Sequence, residues 1–320
     1  MLDTPVDLIQ ATVQVEQPSA AGDRIIGTGF LVSSISADGT PGTVLVTANH
    51  VLARMPGGEA NIGYRSLNPD GTWRYTPAPI RIRDAAEAPL WTRHPSQDVA
   101  VMRIQAPPEY AKAAIPAGYL APQTGPDANE LRPGDELLVL GFPRGVAANS
   151  AGFPILRAGR VASYPVSPKY SPTFLLDFSV FPGNSGGPVF ATSGLHRTST
   201  GPAKPLIAGL LVQQVQLNDE RLDIGIVVHA QYIRETIELV EGVSQPGITT
   251  APAKVAKVAE VAEVEGARPA SEAVRATTPW RRSLDSVARS VAGIRRGAAE
   301  VLRLVSGRFA DWLDPSSRSA

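Results

Sequence analysis

Between Leu8 and Val228 the chain is a succession of short apolar or alternating runs cut by Gly- and Pro-rich turns. That rhythm admits few folds. Gln10-Ala11-Thr12-Val13-Gln14-Val15 lies within an alternating stretch from Leu8 to Glu16, which the period-2 pattern predicts as a half-buried strand. Ile25 to Val32 reads as a strand interrupted by Gly27 and Gly29, and Thr43 to Ala48 as the next, after the turn Asp38-Gly39-Thr40-Pro41-Gly42. Residues 53–97 read as Pro-rich connections with weak strands such as Ile80 to Arg83, and residues 105–134 as a long linker. Strands resume at Asp135 to Gly141, Ile155 to Val161, Thr173 to Val180, Val189 to Ala191, Pro205 to Val212 and Asp223 to Val228. A helix over Ala230 to Val240 closes the series, with Tyr232, Ile233, Ile237 and Val240 on one face. The 29 Gly and 29 Pro fit many short strands and turns, so the pattern predicts an all-β domain in two strand-rich halves.

Composition removes several functions. Thirty basic residues balance 30 acidic ones, leaving no basic footprint for nucleic acid. The chain has no cysteine, which excludes disulfides, a thiol nucleophile and a thiolate metal site. No metal or cofactor is expected. No 18-residue apolar run and no signal-like N-terminus are present, so the expectation is a cytoplasmic protein, or one peripheral to a membrane.

Three chemically capable residues stand at strand ends or turns. His50 follows the Thr43–Ala48 strand, Asp98 opens Val99-Ala100-Val101-Met102, and Ser185 sits in Phe181-Pro182-Gly183-Asn184-Ser185-Gly186-Gly187-Pro188. Each has a structural reading: a satisfied histidine, a strand-entry aspartate and an ordinary Gly-Pro turn. Together they supply what a serine hydroxyl needs, a base beside it and a carboxylate to orient the base. His94, beside Pro95, reads as a solvated loop residue. His229 reads as structural or surface, and His196 as a loop residue.

Thr47-Ala48-Asn49-His50-Val51, Asp98-Val99-Ala100-Val101 and Gly183-Asn184-Ser185-Gly186-Gly187-Pro188 resemble, in order, the three motifs of trypsin-like serine peptidases. Gly27-Thr28-Gly29-Phe30 and Gly225-Ile226-Val227-Val228 before a helix resemble the bacterial HtrA/Deg-type branch, here without a PDZ domain. The resemblance implies two six-stranded antiparallel β-barrels of chymotrypsin type with a closing helix. The peptidase domain is expected at 1–241, with halves at about 8–105 and 134–230. It implies a serine endopeptidase with catalytic His50, Asp98 and Ser185, and an oxyanion hole of the Gly183 and Ser185 N–H groups. Gly183 is expected where a Cβ would crowd the turn. The implied substrate pocket holds Ser179, Gly209 and Gly225; a neutral Ser179 implies small or apolar residues before the cut. Asn184, replacing the aspartate that pairs with a newly cut N-terminus in digestive zymogens, implies no activation by cleavage. Asn49 is small and should not block the site. The alternative is a non-catalytic or partner-activated binding module of the same fold, acting through its C-terminal tail.

Residues 242–280 are Ala/Val/Pro/Lys/Glu-rich and read as a linker. Residues 281–320 read as an amphipathic basic helical tail, and residues 276–320 carry eight Arg against four Asp/Glu. Leu284, Val287, Val291, Ile294 and Phe309 fall on one face and Arg289, Arg296 and Arg303 opposite. Residues 283–313 would bind a protein partner or a second copy, lie on an anionic membrane surface, or dock on the chain's own domain.

Overall fold

A computed structural model of the chain describes residues 4–18, 24–121, 131–191, 206–217 and 220–242. All of them belong to the first of the two units into which the chain divides, Met1–Ala256. His196, the 242–280 linker beyond Gly242 and the 281–320 tail lie outside the described residues.

The element order is α1 (Thr4–Ala11), β1 (Thr12–Pro18), β2 (Arg24–Ile35), β3 (Pro41–Thr47), α2 (Asn49–Ala53), β4 (Glu59–Leu67), β5 (Trp73–Arg81), β6 (Thr92–Arg93), β7 (Ala100–Ile104), α3 (Pro108–Ala113) and β8 (Ile115–Pro116), which make the first half. The second half is β9 (Glu136–Gly141), β10 (Ile155–Val161), β11 (Thr173–Asp177), β12 (Pro188–Ala191), β13 (Leu206–Leu217), β14 (Glu220–His229) and α4 (Ala230–Glu241). Among the described residues no helix is long and apolar enough to cross a membrane.

The second half closes as a six-stranded barrel, in the order β10-β11-β14-β13-β12-β9. Among the described residues the first half does not close: seven strands run β5-β4-β1-β2-β3-β7-β6, and an eighth, β8, is added in parallel beside β2. Of the two expected barrels only the second is closed, and the two ends of the first half's path show why. Strand β5 carries Pro77 and Pro79, which have no N–H to offer a further neighbour, and β6 is two residues long. Pro77 and Pro79 also hid a regular hairpin: β4 and β5 pair from Glu59↔Arg81 to Leu67↔Trp73, where the sequence reads as irregular connection.

Two other expectations need correction. Leu8 to Ala11 are helical, not the start of a strand; Pro5 stands in the first turn, and the Thr12 hydroxyl donates to Leu8 C=O at 2.7 Å. A four-residue apolar pattern fits both periods, and here the capping chemistry decides. Residues 108–121 are not a bare linker, because Tyr110, Ile115 and Leu120 are buried in the core of the first half.

The halves share a core. In β12, Val189 and Ala191 point into the closed barrel, while Phe190 joins the cluster of the first half, as strand alternation requires. Ile207, Leu210 and Val212 of β13 and Ile233 and Ile237 of α4 join that same cluster. Polar ties reinforce it: Glu241 is buried, accepts from the Ser34 hydroxyl at 2.7 Å and pairs with Arg103. Gly242, left-handed at φ 69°, ends α4.

Candidate active site

Strand β3 delivers His50 into the one-turn helix α2, and the loop before β7 delivers Asp98. His50 Nδ1 and Asp98 Oδ2 are 2.5 Å apart, and the other carboxylate oxygen accepts the His50 main-chain N–H at 2.9 Å. An ionised carboxylate can only accept, so Nδ1 carries the proton and Nε2 is left as the basic nitrogen. Burial by itself raises the Asp98 pKa, but the hydrogen bonds and charge of His50, with the Asn49 N–H, outweigh it and hold the carboxyl below its usual value. Asn49 has a structural use: its Oδ1 accepts the Trp91 indole N–H at 3.0 Å.

His94 is not the solvated loop residue its sequence context suggests. It is buried, and its Nδ1 accepts the N–H groups of Ser96 and Gln97 at 3.2 and 3.1 Å. Its Nε2 therefore donates, to Glu235 Oε2 on α4 at 3.0 Å. The histidine pins the segment leading to Asp98 onto the closing helix. Glu235 lies 141 residues away, so no local signal reveals it.

Ser185 stands in the turn between β11 and β12. Gly183 has φ +92°, and a Cβ there would lie 2.3 Å from Phe142 O, so the expected crowding is present. Gly186 has φ +91°, with Thr28 O only 1.9 Å from where its Cβ would be. Among the described residues, neither the Gly183 nor the Ser185 N–H forms a hydrogen bond. The Ser185 hydroxyl donates to Val212 C=O at 3.0 Å rather than to His50.

Thr28, fully buried in β2, is the feature missed in the sequence. Its N–H donates to Ser185 C=O at 2.9 Å, and its hydroxyl donates to Gly183 C=O at 2.6 Å while accepting the Phe142 N–H at 3.1 Å. Its own carbonyl accepts the Thr47 hydroxyl at 2.7 Å. A signal existed: one polar residue between two glycines inside an otherwise apolar strand.

The expected pocket residues are only partly brought together. Ser179 follows β11, and its carbonyl accepts from Arg157 at 2.7 Å, whose guanidinium lies 4.1 Å from the Phe178 ring centre. Burial lowers the Arg157 pKa, opposed by nearby Asp223. Gly225 in β14 faces Leu211 and Val180, the residue after Ser179. Gly209 is paired with His229 farther along the sheet, and its missing side chain is accounted for by Val228 C=O, 2.2 Å from a Cβ position. His229 itself is buried, with an unpartnered Nε2, and burial pushes its pKa down to about 4. Among the described residues no cluster of His, Asp or Glu could hold a metal ion.

Three solved structures are among those similar to the chain. The Rv3671c protease of M. tuberculosis in its active form is 19% identical, covering 77% of this chain and 87% of that one, with a TM-score of 0.44. A serine-to-alanine mutant of Rv3671c in its inactive form is 18% identical over 76% and 92%, with a TM-score of 0.43. The HtrA-type protease AlgW with a decapeptide is 17% identical over 73% and 66%, with a TM-score of 0.42. No curated protein sequence matches the chain. The family model described as the trypsin-like peptidase domain matches residues 27–195, more than half of the chain and a span that holds His50, Asp98 and Ser185. The chain belongs to the family of trypsin-like peptidase domains.

Proposed function

We propose that the protein is a serine endopeptidase of HtrA/Deg type, with Ser185 as nucleophile, His50 as base and Asp98 as the group that orients the base. The observation that carries the reading is the His50–Asp98 contact at 2.5 Å, made by residues 48 apart in sequence. It fixes the tautomer that leaves Nε2 free to take a proton. Ser185 Oγ attacks a peptide carbonyl, Nε2 takes its proton, and an acyl-enzyme forms as the imidazolium protonates the leaving amine. Water then repeats the cycle. The Gly183 and Ser185 N–H groups hold the oxyanion, a contribution of about 3 kcal/mol per donor. To start, Oγ leaves Val212 C=O by rotating about one side-chain torsion; such catalytic hydrogen bonds often tighten only when substrate binds.

Ser179 is neutral, and Gly225 sits against Val180 and Leu211, which supports small or apolar residues before the scissile bond. Asn184 is buried and carries no carboxylate to pair with a newly cut N-terminus, which supports activity without zymogen cleavage. The second reading, a partner-activated or non-catalytic module, draws on the Ser185 hydroxyl resting on Val212. Incubation with an unfolded protein, with peptide ends mapped by mass spectrometry, separates the two. The peptidase reading expects cuts after small or apolar residues that Ser185→Ala abolishes. Identical products from both chains, or none from either, would sink it.

A further inference from the structure

We infer that Thr28 is a positioning residue that sets both N–H groups of the oxyanion hole from the opposite half of the molecule. The inference rests on the reading of Gly183 and Ser185 as that hole. In a trans peptide the N–H points away from the C=O of the same unit, so fixing the carbonyl aims the N–H. The Gly183 N–H belongs to the Pro182–Gly183 peptide, whose carbonyl accepts the Arg144 N–H at 2.6 Å. Arg144 is held in a turn closed by the Gly145 N–H on Phe142 C=O at 2.9 Å, and that turn begins with the Phe142 N–H on Thr28 Oγ1. The same hydroxyl donates to Gly183 C=O and so fixes the following peptide as well. One oxygen thus holds the units on either side of Gly183.

The second donor is braced through the peptide that follows it. The Ser185 N–H is aimed by Asn184 C=O, which accepts the Gly187 N–H at 3.1 Å, and the next unit, Ser185–Gly186, is fixed by the Thr28 N–H on Ser185 C=O at 2.9 Å. Thr28 is fully buried, so no water competes for these bonds. Asn184 gives the turn no charged anchor, and its own Nδ2 is buried without a partner. The brace therefore comes from β2, and the hole forms as a consequence of the halves docking.

Thr28→Val keeps shape and strand preference but deletes the hydroxyl; Thr28→Ser keeps the hydroxyl. Thr12→Val is the stability control, because Thr12 is also fully buried with its hydroxyl on a carbonyl but lies outside the site. With a chromogenic peptide substrate, Thr28→Val is expected to lower kcat about 100-fold with KM within about threefold, and to weaken a peptide-aldehyde inhibitor in parallel. Thr28→Ser should stay within about fivefold of wild type, and Thr12→Val should lose melting temperature without losing kcat. If the valine chain does not fold, Thr28→Ala carries the same comparison. A folded Thr28→Val with kcat within twofold of wild type, or a serine variant as impaired as the valine one, overturns the assignment alone. A wild type inert to substrate and inhibitor overturns the peptidase reading and this inference with it.

Discussion

The proposed base and the proposed nucleophile are held in opposite ways. The His50–Asp98 pair is self-contained: both residues, and the main-chain N–H that locks the carboxylate, belong to the first half. The Ser185 turn has main-chain bonds of its own, but its Gly183 and Ser185 carbonyls are tied to Thr28 in the other half. The lesson is one of dependence. The His50–Asp98 contact is made within the first half, whereas the Ser185 turn adds to its own main-chain bonds a tie to β2 in the other half.

The largest expected effect breaks the braced side. Ser185→Ala should cut peptide turnover by about 10⁴-fold or more while His50–Asp98 stays intact; activity within tenfold would place the nucleophile elsewhere. Asp98→Asn breaks the self-contained side. It removes the acceptor that sets the His50 tautomer, and kcat should fall about 10⁴-fold with the melting temperature little changed. Loss of folding instead would mean that the carboxylate serves structure first.

Smaller effects sharpen how the halves depend on each other. Arg65 in β4 is fully buried, and its four hydrogen bonds end on the carbonyls of Ile9, Gln10, Thr12 and, across in the second half, Gly152. Burial lowers its pKa to about 10, with Tyr110 and Tyr75 opposing, so it stays charged at neutral pH. Its guanidinium also lies 4.8 Å from the Phe153 ring centre. Arg65→Met should cost about 4 kcal/mol in denaturant titration, because it strands buried carbonyls in both halves. A cost under about 1 kcal/mol would show that this tie is dispensable.

His229 gives the acid limit of the second half. Its folded pKa of about 4 lies below the ordinary value of 6.5, so the unfolded chain binds the proton more readily. Its stabilising contribution is whole above 6.5 and is lost as pH falls toward 4, amounting to about 3 kcal/mol. Denaturation midpoints across that window should drop for wild type and flatten in His229→Leu; parallel curves would exclude this histidine.

How much was legible follows from how local each signal was. His50, Asp98 and Ser185 stood out because each sits at a strand end or glycine turn within a few letters of recognisable company. The strand-rich halves and the α4 helix were legible through their apolar periods. Thr28, His94 and Arg65 were not, because their partners lie at Gly183, Glu235 and Gly152, far along the chain. The β4–β5 hairpin was masked by Pro77 and Pro79, which an edge strand tolerates and an inner one does not. The open first sheet could not be read at all: closure depends on which strands end up as edges.

Reaction with a fluorophosphonate followed by intact-mass and peptide mapping tests the central claim most directly, since it needs the nucleophile, the base and the hole at once. The account predicts one adduct per chain, on Ser185, lost in Ser185→Ala and slowed in both Thr28→Val and Asp98→Asn. No adduct on the wild type, or an adduct on another residue, would contradict it.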